Sequence, residues 1–243
     1  MAPTLPLMTA NWSSPLFWAI IIGWILSVTL HEFAHGLVAY FGGDYTIRER
    51  GLLTLNPIRY ANPVMTFILP LIFVAMGAIP LVGAATYIRT DLLRNKAWRS
   101  ASAAAGPFVN LLCFLACALP LHQNVGWVDP NSPLETWSSV QMFCGAMAVL
   151  QIYACFINLI PLPPLDGFRI IQPYLPATLV NQTRNPQIGM GFLLLLFFAL
   201  SNQQIGQAIY NFLFSVFDLL HFDPAIQEGI RRSYNFVLFG HAD

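Results

Sequence analysis

Residues 16–41, LFWAIIIGWILSVTLHEFAHGLVAYF, form an apolar stretch that contains three ionisable side chains, those of His31, Glu32 and His35. A helix crosses the hydrocarbon core of a bilayer with about 20 mostly apolar residues, so this stretch predicts a transmembrane helix. Ionisable side chains at the bilayer centre cost about 2.5 to 3.5 kcal/mol each, and those found there usually have a function. The stretch therefore indicates a functional site inside the membrane.

The three ionisable residues have the spacing of an HExxH motif. His31 and His35 are four positions apart, so a helix places both imidazoles on one face. Two imidazoles in this arrangement can bind one zinc ion, and Glu32 beside them can take a proton from the attacking water. The alternative is a pair of histidines that only pack against another helix. The motif predicts a catalytic zinc site.

The composition supports a membrane protein. Hydrophobic residues make up 56% of the 243 residues, charged residues make up 9%, and the mean hydropathy is +0.61. Soluble domains are about a quarter charged, so most of this chain is expected to lie in lipid. The formal net charge is zero, which gives no electrostatic basis for binding nucleic acid. The four cysteines form no CxxC pair and are interpreted as apolar packing residues.

Further apolar segments follow the first, at residues 63–84, 101–121, 139–160, 188–200 and 205–220. The last two are short, and they form either a helical hairpin or one broken helix. Segment 63–84 contains Pro70, Gly77, Pro80 and Gly83 in its interior and lies between two basic loops, so a re-entrant path and a full span both remain open. The predicted fold is an all-α polytopic membrane protein with about five to six transmembrane or re-entrant helices.

Residues 42–57, GGDYTIRERGLLTLNP, leave the helical pattern at the glycine pair. The partial alternation of apolar and polar residues over 46–55 predicts a short β-hairpin after the first helix, with its turn near Arg50 and Gly51. An exposed strand edge there would hold an extended substrate segment by β-augmentation. The alternative is an interfacial loop.

Basic residues are distributed unevenly among the loops. The N-terminal residues 1–15 and the loop 122–138 contain no lysine or arginine, whereas the other loops and the C-terminal tail contain them. The positive-inside rule places basic loops in the cytoplasm. It therefore predicts a cell-membrane protein whose N-terminus lies outside and whose zinc site lies toward the cytoplasmic side.

A catalytic zinc usually has three protein ligands and a water. His122, His221 and His241 lie in loops, at segment ends or in the tail, and they are interpreted as ordinary interfacial histidines. Asp166 is the better candidate, because the prolines of residues 158–167, NLIPLPPLDG, end the fourth segment and can turn the chain back toward the membrane. The alternative for Asp166 is an ordinary charge at a helix end.

An HExxH motif in the first membrane helix, followed by the NxxPxPxLDG pattern of residues 158–167, resembles the site-2 protease family of intramembrane zinc metalloproteases. The runs LTLNP (residues 53–57) and AGPFVN (residues 105–110) are similar to motifs of its short bacterial members. The resemblance extends from residue 16 to about residue 170, and the HExxH and LDG elements in this order are specific. It implies a short form without PDZ or CBS domains.

The resemblance implies that His31, His35 and Asp166 bind one Zn²⁺ per chain, with Glu32 as the general base. It also implies a set of substrate-cleft residues, namely Asn158, Pro161, Pro163 and Asn110. The expected organisation is a membrane-embedded metalloprotease domain at residues 1–222, with its core at 16–170, and a short tail at 223–243.

The implied function is hydrolysis of peptide bonds in transmembrane segments of single-pass membrane proteins within the lipid bilayer. The alternative is a catalytically silent zinc-binding scaffold that binds client helices. A scaffold has no need for a glutamate at position 32, which favours the enzyme.

Overall fold

The computed structural model describes residues 13–60, 87–183 and 185–239 of the chain. These residues form helices, turns and loops, and they contain no β-strand. Their helices are α1 (Pro15–Gly42), α2 (Thr46–Glu49), α3 (Lys96–Ala118), α4 (Ser139–Leu159), α5 (Asp166–Ile171), α6 (Ala177–Thr183), α7 (Pro186–Ser201), α8 (Gln203–Leu219) and α9 (Pro224–Phe239).

Three of the described helices are long and apolar enough to cross a membrane. They are α1, α3 with its extension to Leu121, and α4. Residues Gln187–Leu200 and Gln204–Leu219 meet at 85°, and they add a fourth crossing if the bent pair counts as one span. The prediction of a multi-pass, helical membrane protein is confirmed for this part of the chain. Segment 63–84 lies outside the described residues.

Helix α3 begins five residues before the apolar segment that predicted it. The Asn95 side chain accepts a hydrogen bond of 3.0 Å from the backbone N–H of Trp98 and so caps the helix. The first turn therefore includes Lys96 and Arg99, which hydropathy assigns to a loop. Local capping, not apolarity, sets this boundary.

The predicted β-hairpin at residues 46–55 is wrong. Residues Thr46–Glu49 form the short helix α2, and the N–H groups of Arg50 and Leu52 donate back to Thr46 O and Ile47 O, each at 3.0 Å. These backbone groups are satisfied locally, so they are not available for a ladder between strands. Helix α2 and the residues after it pack against α1, where a Cβ on Gly36 would lie 3.3 Å from Ile47 Cγ2 and 3.5 Å from Leu52 O.

The spans are arranged with α3 antiparallel to α1 and α4. Gly42 at the end of α1 packs against Trp98 at the start of α3, whereas Gly23 near the start of α1 packs against Phe143 near the start of α4. The main core, which includes the fully buried Phe114, lies among α1, α3, α4, α8 and α9. This arrangement brings the end of α1 and the end of α4 to the same end of the bundle.

The residues expected to be a short tail include helix α9, which packs along α4. A Cβ on Gly145 of α4 would lie 3.1 Å from Ser233 Cβ, and a Cβ on Gly229 would lie 2.5 Å from Trp137 just before α4. Gln123 donates to His221 O at 2.6 Å. Helix α9 therefore starts beside the loop 122–138, at the opposite end of α4 from α5.

Candidate metal centre

Helix α1 carries His31, Glu32 and His35 into the interior of the bundle. Their exposed fractions are 6%, 4% and 2%. The atoms with which these three side chains could bind a metal all lie within 4.8 Å of one another. The spacing of the motif thus produces a compact, buried cluster.

Asp166, the first residue of α5, reaches the two histidines. Its Oδ2 lies 3.0 Å from His31 Nε2 and 3.2 Å from His35 Nε2, and the two Nε2 atoms are 3.0 Å apart. Zinc bonds to nitrogen and oxygen are about 2.0 to 2.2 Å long, so tetrahedral ligands lie roughly 3.3 Å from one another. The triangle of donor atoms has the size that zinc requires.

The second nitrogen of each imidazole is already engaged. His31 Nδ1 lies 2.5 Å from Asn110 Oδ1, and His35 Nδ1 lies 2.6 Å from the Ser102 carbonyl oxygen. Both partners are acceptors, so each Nδ1 carries the proton and each Nε2 presents a lone pair. Two lone pairs and a carboxylate oxygen converge on one point, and such an arrangement is stabilised by a cation.

Asp166 depends on the glycine that follows it. A Cβ on Gly167 would lie 2.2 Å from the Leu159 carbonyl oxygen, so α5 approaches the end of α4 more closely than any side chain allows. The Asp166 carboxylate turns Oδ2 toward the two histidines. Its other oxygen, Oδ1, lies 3.7 Å from Arg169. An ionised carboxylate is the form that binds metal.

Gly106 of α3 closes one side of the site. A Cβ at this position would lie 2.3 Å from His35 Nε2 and 2.4 Å from His31 Nε2. These distances are close to a zinc–nitrogen bond, so a methyl group would compete with the metal for its space. The backbone of α3 therefore forms a wall of the site, and a further ligand must approach from another side.

The other predicted site residues lie in different surroundings. Pro161 is exposed, Asn158 is half-buried and Pro163 is buried, all on the segment that leads into Asp166. Asn110 is 2% exposed and lies behind His31. The set of substrate-cleft residues stays a prediction.

Two of the other histidines lie far from this centre. The His122 ring packs 4.8 Å from that of Phe222, and His221 lies nearby at the same end of the bundle. This end is opposite to α5, so neither side chain joins the metal cluster. His241 lies outside the described residues.

Two groups that support the histidines, the side chain of Gln151 and the backbone carbonyl of Ser102, were not predicted from the sequence. Gln151 of α4 is fully buried and accepts a 2.7 Å hydrogen bond from Asn110 Nδ2. An amide in the apolar middle of a membrane helix was the available signal. The backbone carbonyl of Ser102 carried no signal, because only the packing of α3 on α1 brings it to His35.

Comparison with known proteins agrees with this geometry. The family model described as peptidase family M50 matches residues 58–200, a range that includes Asn110 and Asp166 and starts after the HExxH motif. Two relatives are named "Putative zinc metalloprotease", as Rip2 in Mycobacterium tuberculosis (strain ATCC 25618 / H37Rv) and as YwhC in Bacillus subtilis (strain 168).

The alignment with the Rip2 protein has 37% identity over 185 residues and covers 76% of this chain and 68% of the relative. The alignment with the YwhC protein has 31% identity over 164 residues and covers 65% of this chain and 69% of the relative. No solved structure matches the chain.

Proposed function

Because this chain belongs to peptidase family M50, the site-2 protease family, and is a multi-pass membrane zinc metalloprotease, we propose that it hydrolyses peptide bonds within transmembrane segments of other membrane proteins. One observation carries this proposal. The donor atoms of His31, His35 and Asp166 meet in the interior of the bundle, and the two histidines lie within a helix long enough to span the bilayer. A substrate must therefore reach the metal at membrane depth.

The ligands of the single zinc ion are His31, His35 and Asp166. When bound, zinc polarises the peptide carbonyl and lowers the pKa of the attacking water. Glu32 lies next to His31 and within 4.8 Å of the histidine donor atoms. It takes a proton from the water and delivers it to the leaving amine, as a general base and then a general acid.

Single-pass membrane proteins are the proposed substrates. The peptide groups of a transmembrane helix are held in internal hydrogen bonds, so the segment must unwind before its carbonyls reach the site. Asn158 lies in the last turn of α4, and Pro161 and Pro163 lie on the connection from α4 to Asp166. We assign all three to the cleft that receives the unwound segment. Residues 1–222 form the proposed catalytic domain, with its core at residues 16–170.

The zinc site opens toward the cytoplasm and the N-terminus lies outside. Basic residues cluster at the end of the bundle that carries Asp166, where Arg94 N donates to Gly42 O at 3.0 Å. The loop 122–138 at the other end contains no lysine or arginine, although Arg232 of α9 lies beside it. This asymmetry supports the orientation through the positive-inside rule.

The deciding experiment measures cleavage of a helix-destabilised single-pass substrate in liposomes that contain the purified full chain. We expect Glu32→Gln to abolish cleavage while zinc content stays at one per chain, and we expect a chelator to abolish cleavage by the wild type. Glu49→Gln is the matched control, because Glu49 is exposed on α2, and this variant should cleave normally.

Equal cleavage by the wild type and Glu32→Gln would exclude Glu32 as the base. If the wild type binds zinc but cleaves none of several membrane-embedded substrates, while it cleaves a soluble unfolded protein, the proposed intramembrane activity is wrong. If it cleaves neither, the chain is a zinc-binding scaffold.

A further inference from the structure

Gln151 is a polar residue in the most deeply buried part of α4. All residues from Gly145 to Tyr153 are buried, and Gln151 itself is 0% exposed. Its Nε2 has no hydrogen-bond partner among the described residues. A leucine would fill the same apolar surroundings without leaving a donor unsatisfied. Packing therefore does not explain why an amide lies at this position.

The side-chain oxygen of Gln151 accepts a hydrogen bond from Asn110, and Asn110 in turn contacts His31 of the metal centre. Asn110 Nδ2 donates to Gln151 Oε1 at 2.7 Å, and Asn110 Oδ1 lies 2.5 Å from His31 Nδ1. All three side chains are buried, with exposed fractions of 0%, 2% and 6%. They form a continuous chain of hydrogen bonds from α4 through α3 to α1.

The direction of this chain follows from the chemistry of the amide. An asparagine presents a donor on one side and an acceptor on the other. Because Gln151 Oε1 accepts, Asn110 must turn its NH₂ group toward α4 and its oxygen toward His31. His31 Nδ1 must then be the donor, and its Nε2 is left with a lone pair for the metal.

We propose that Gln151 is a positioning residue of the zinc site, which fixes the orientation of the Asn110 amide and thereby the tautomer of His31. Without the acceptor on α4, the Asn110 amide is free to rotate and present its NH₂ group to His31. The imidazole then carries its proton on Nε2 and loses its metal-binding lone pair. The inference rests on the proposed role of His31 as a zinc ligand.

The test compares zinc affinities of the purified full chain in detergent by competition with a chelator. We expect Gln151→Leu to weaken zinc binding about 10- to 100-fold, the range seen when a partner of a metal-binding histidine is lost. Gln151→Glu keeps an oxygen acceptor toward Asn110 Nδ2 and should restore the affinity. Ser233→Ala is the control, because Ser233 is fully buried in α9 and its hydroxyl donates to Gly229 O of its own helix.

A double-mutant cycle shows whether Gln151 acts through Asn110. In an Asn110→Leu background, Gln151→Leu should cause no additional loss of zinc affinity. A second readout is the ¹⁵N spectrum of histidine in the metal-free protein, in which Gln151→Leu should move the His31 proton from Nδ1 to Nε2. General loosening of the core would not shift this proton selectively.

Three outcomes would overturn the proposal. They are wild-type zinc affinity in Gln151→Leu, failure of Gln151→Glu to restore the affinity, and full additivity with Asn110→Leu. A His31→Ala variant distinguishes this result from failure of the ligand assignment. If His31→Ala binds zinc normally, the ligand assignment itself is wrong. If His31→Ala loses zinc but Gln151→Leu binds zinc with wild-type affinity, only the positioning role is rejected.

Discussion

Gly106 lies on α3 directly beside the imidazoles of His31 and His35. Its backbone approaches both Nε2 atoms so closely that an added Cβ would lie 2.3 and 2.4 Å from them. The missing side chain is therefore part of the site, because it leaves the space that the metal needs. The AGPFVN run provides this glycine together with Asn110, one helical turn further along the same helix.

Gly106→Ala is expected to lose zinc without losing the fold. The added methyl group occupies the space between the two imidazoles, so the zinc content of the purified protein should fall well below one per chain. Inductively coupled plasma mass spectrometry measures the metal, and circular dichroism measures the helix content.

The matched control for this substitution is Gly191→Ala, since a Cβ on Gly191 of α7 would meet nothing within 4 Å. Alanine also has a higher helix propensity than glycine by about 1 kcal/mol, so this variant should be neutral or slightly stabilising. Normal zinc content in Gly106→Ala would refute the role of Gly106.

At the scale of elements, a buried carboxylate joins the end of α1 to the loop before α3. Asp44 is 0% exposed, and its Oδ2 accepts a 2.8 Å hydrogen bond from the N–H of Arg89. Its Oδ1 accepts from Thr46 Oγ1 at 2.5 Å, and Arg50 pairs with Oδ2 at 3.5 Å. These contacts fix α2 against α1 close to His35.

Asp44→Ala should destabilise this junction, because it leaves the backbone N–H of Arg89 and the hydroxyl of Thr46 without the acceptor that both have in a partly buried place. The expected loss of unfolding free energy is about 1 to 3 kcal/mol, measured by thermal or denaturant unfolding in detergent. Arg50 is partly exposed, so its charge can turn to water and adds little to the loss.

Asp91→Ala serves as the comparison for Asp44→Ala. Asp91 pairs with Arg89 at the surface, where both side chains are exposed, and its removal should leave stability unchanged within error. If both substitutions lower the unfolding free energy equally, the burial of Asp44 does not contribute to stability.

The sequence predicted the long elements well and the short ones poorly. Apolar length alone located α1, α3 and α4, since a span needs about 20 apolar residues whatever its neighbours are. Helix α2 was mistaken for a strand because its fold depends on Asp44, which also accepts a hydrogen bond from the N–H of Arg89 in a loop distant in the sequence. Gln151 was missed for a similar reason, because its function depends on the packing of α4 on α3.

At the scale of the whole molecule, the bundle has two chemically different ends. The end with Asp166 carries the basic loop that contains Arg89 and Arg94. The other end carries the loop 122–138, which has no lysine or arginine, together with the first half of α9. Arg232 of α9 lies at this end beside Asp129, so the basic residues are more numerous at the Asp166 end but are not confined to it. This asymmetry underlies the proposed orientation in the membrane.

Cysteine labelling tests this orientation. Glu49 and Asn131 are exposed at opposite ends of the bundle, so a membrane-impermeant maleimide should label Asn131→Cys in spheroplasts and Glu49→Cys only in inside-out vesicles. The wild type measures the background from its own cysteines, three half-buried and one buried. The reverse labelling pattern would invert the proposed topology.

The contact between His31 and Asp166 joins residues 135 positions apart in the chain. At about 5 to 20 residues per second, the ribosome completes α1 on the order of ten seconds before it reaches α5. During that interval the nascent chain carries two imidazoles and a glutamate without the third ligand. The complete cluster therefore forms only after α5 has been synthesised and has packed against α1.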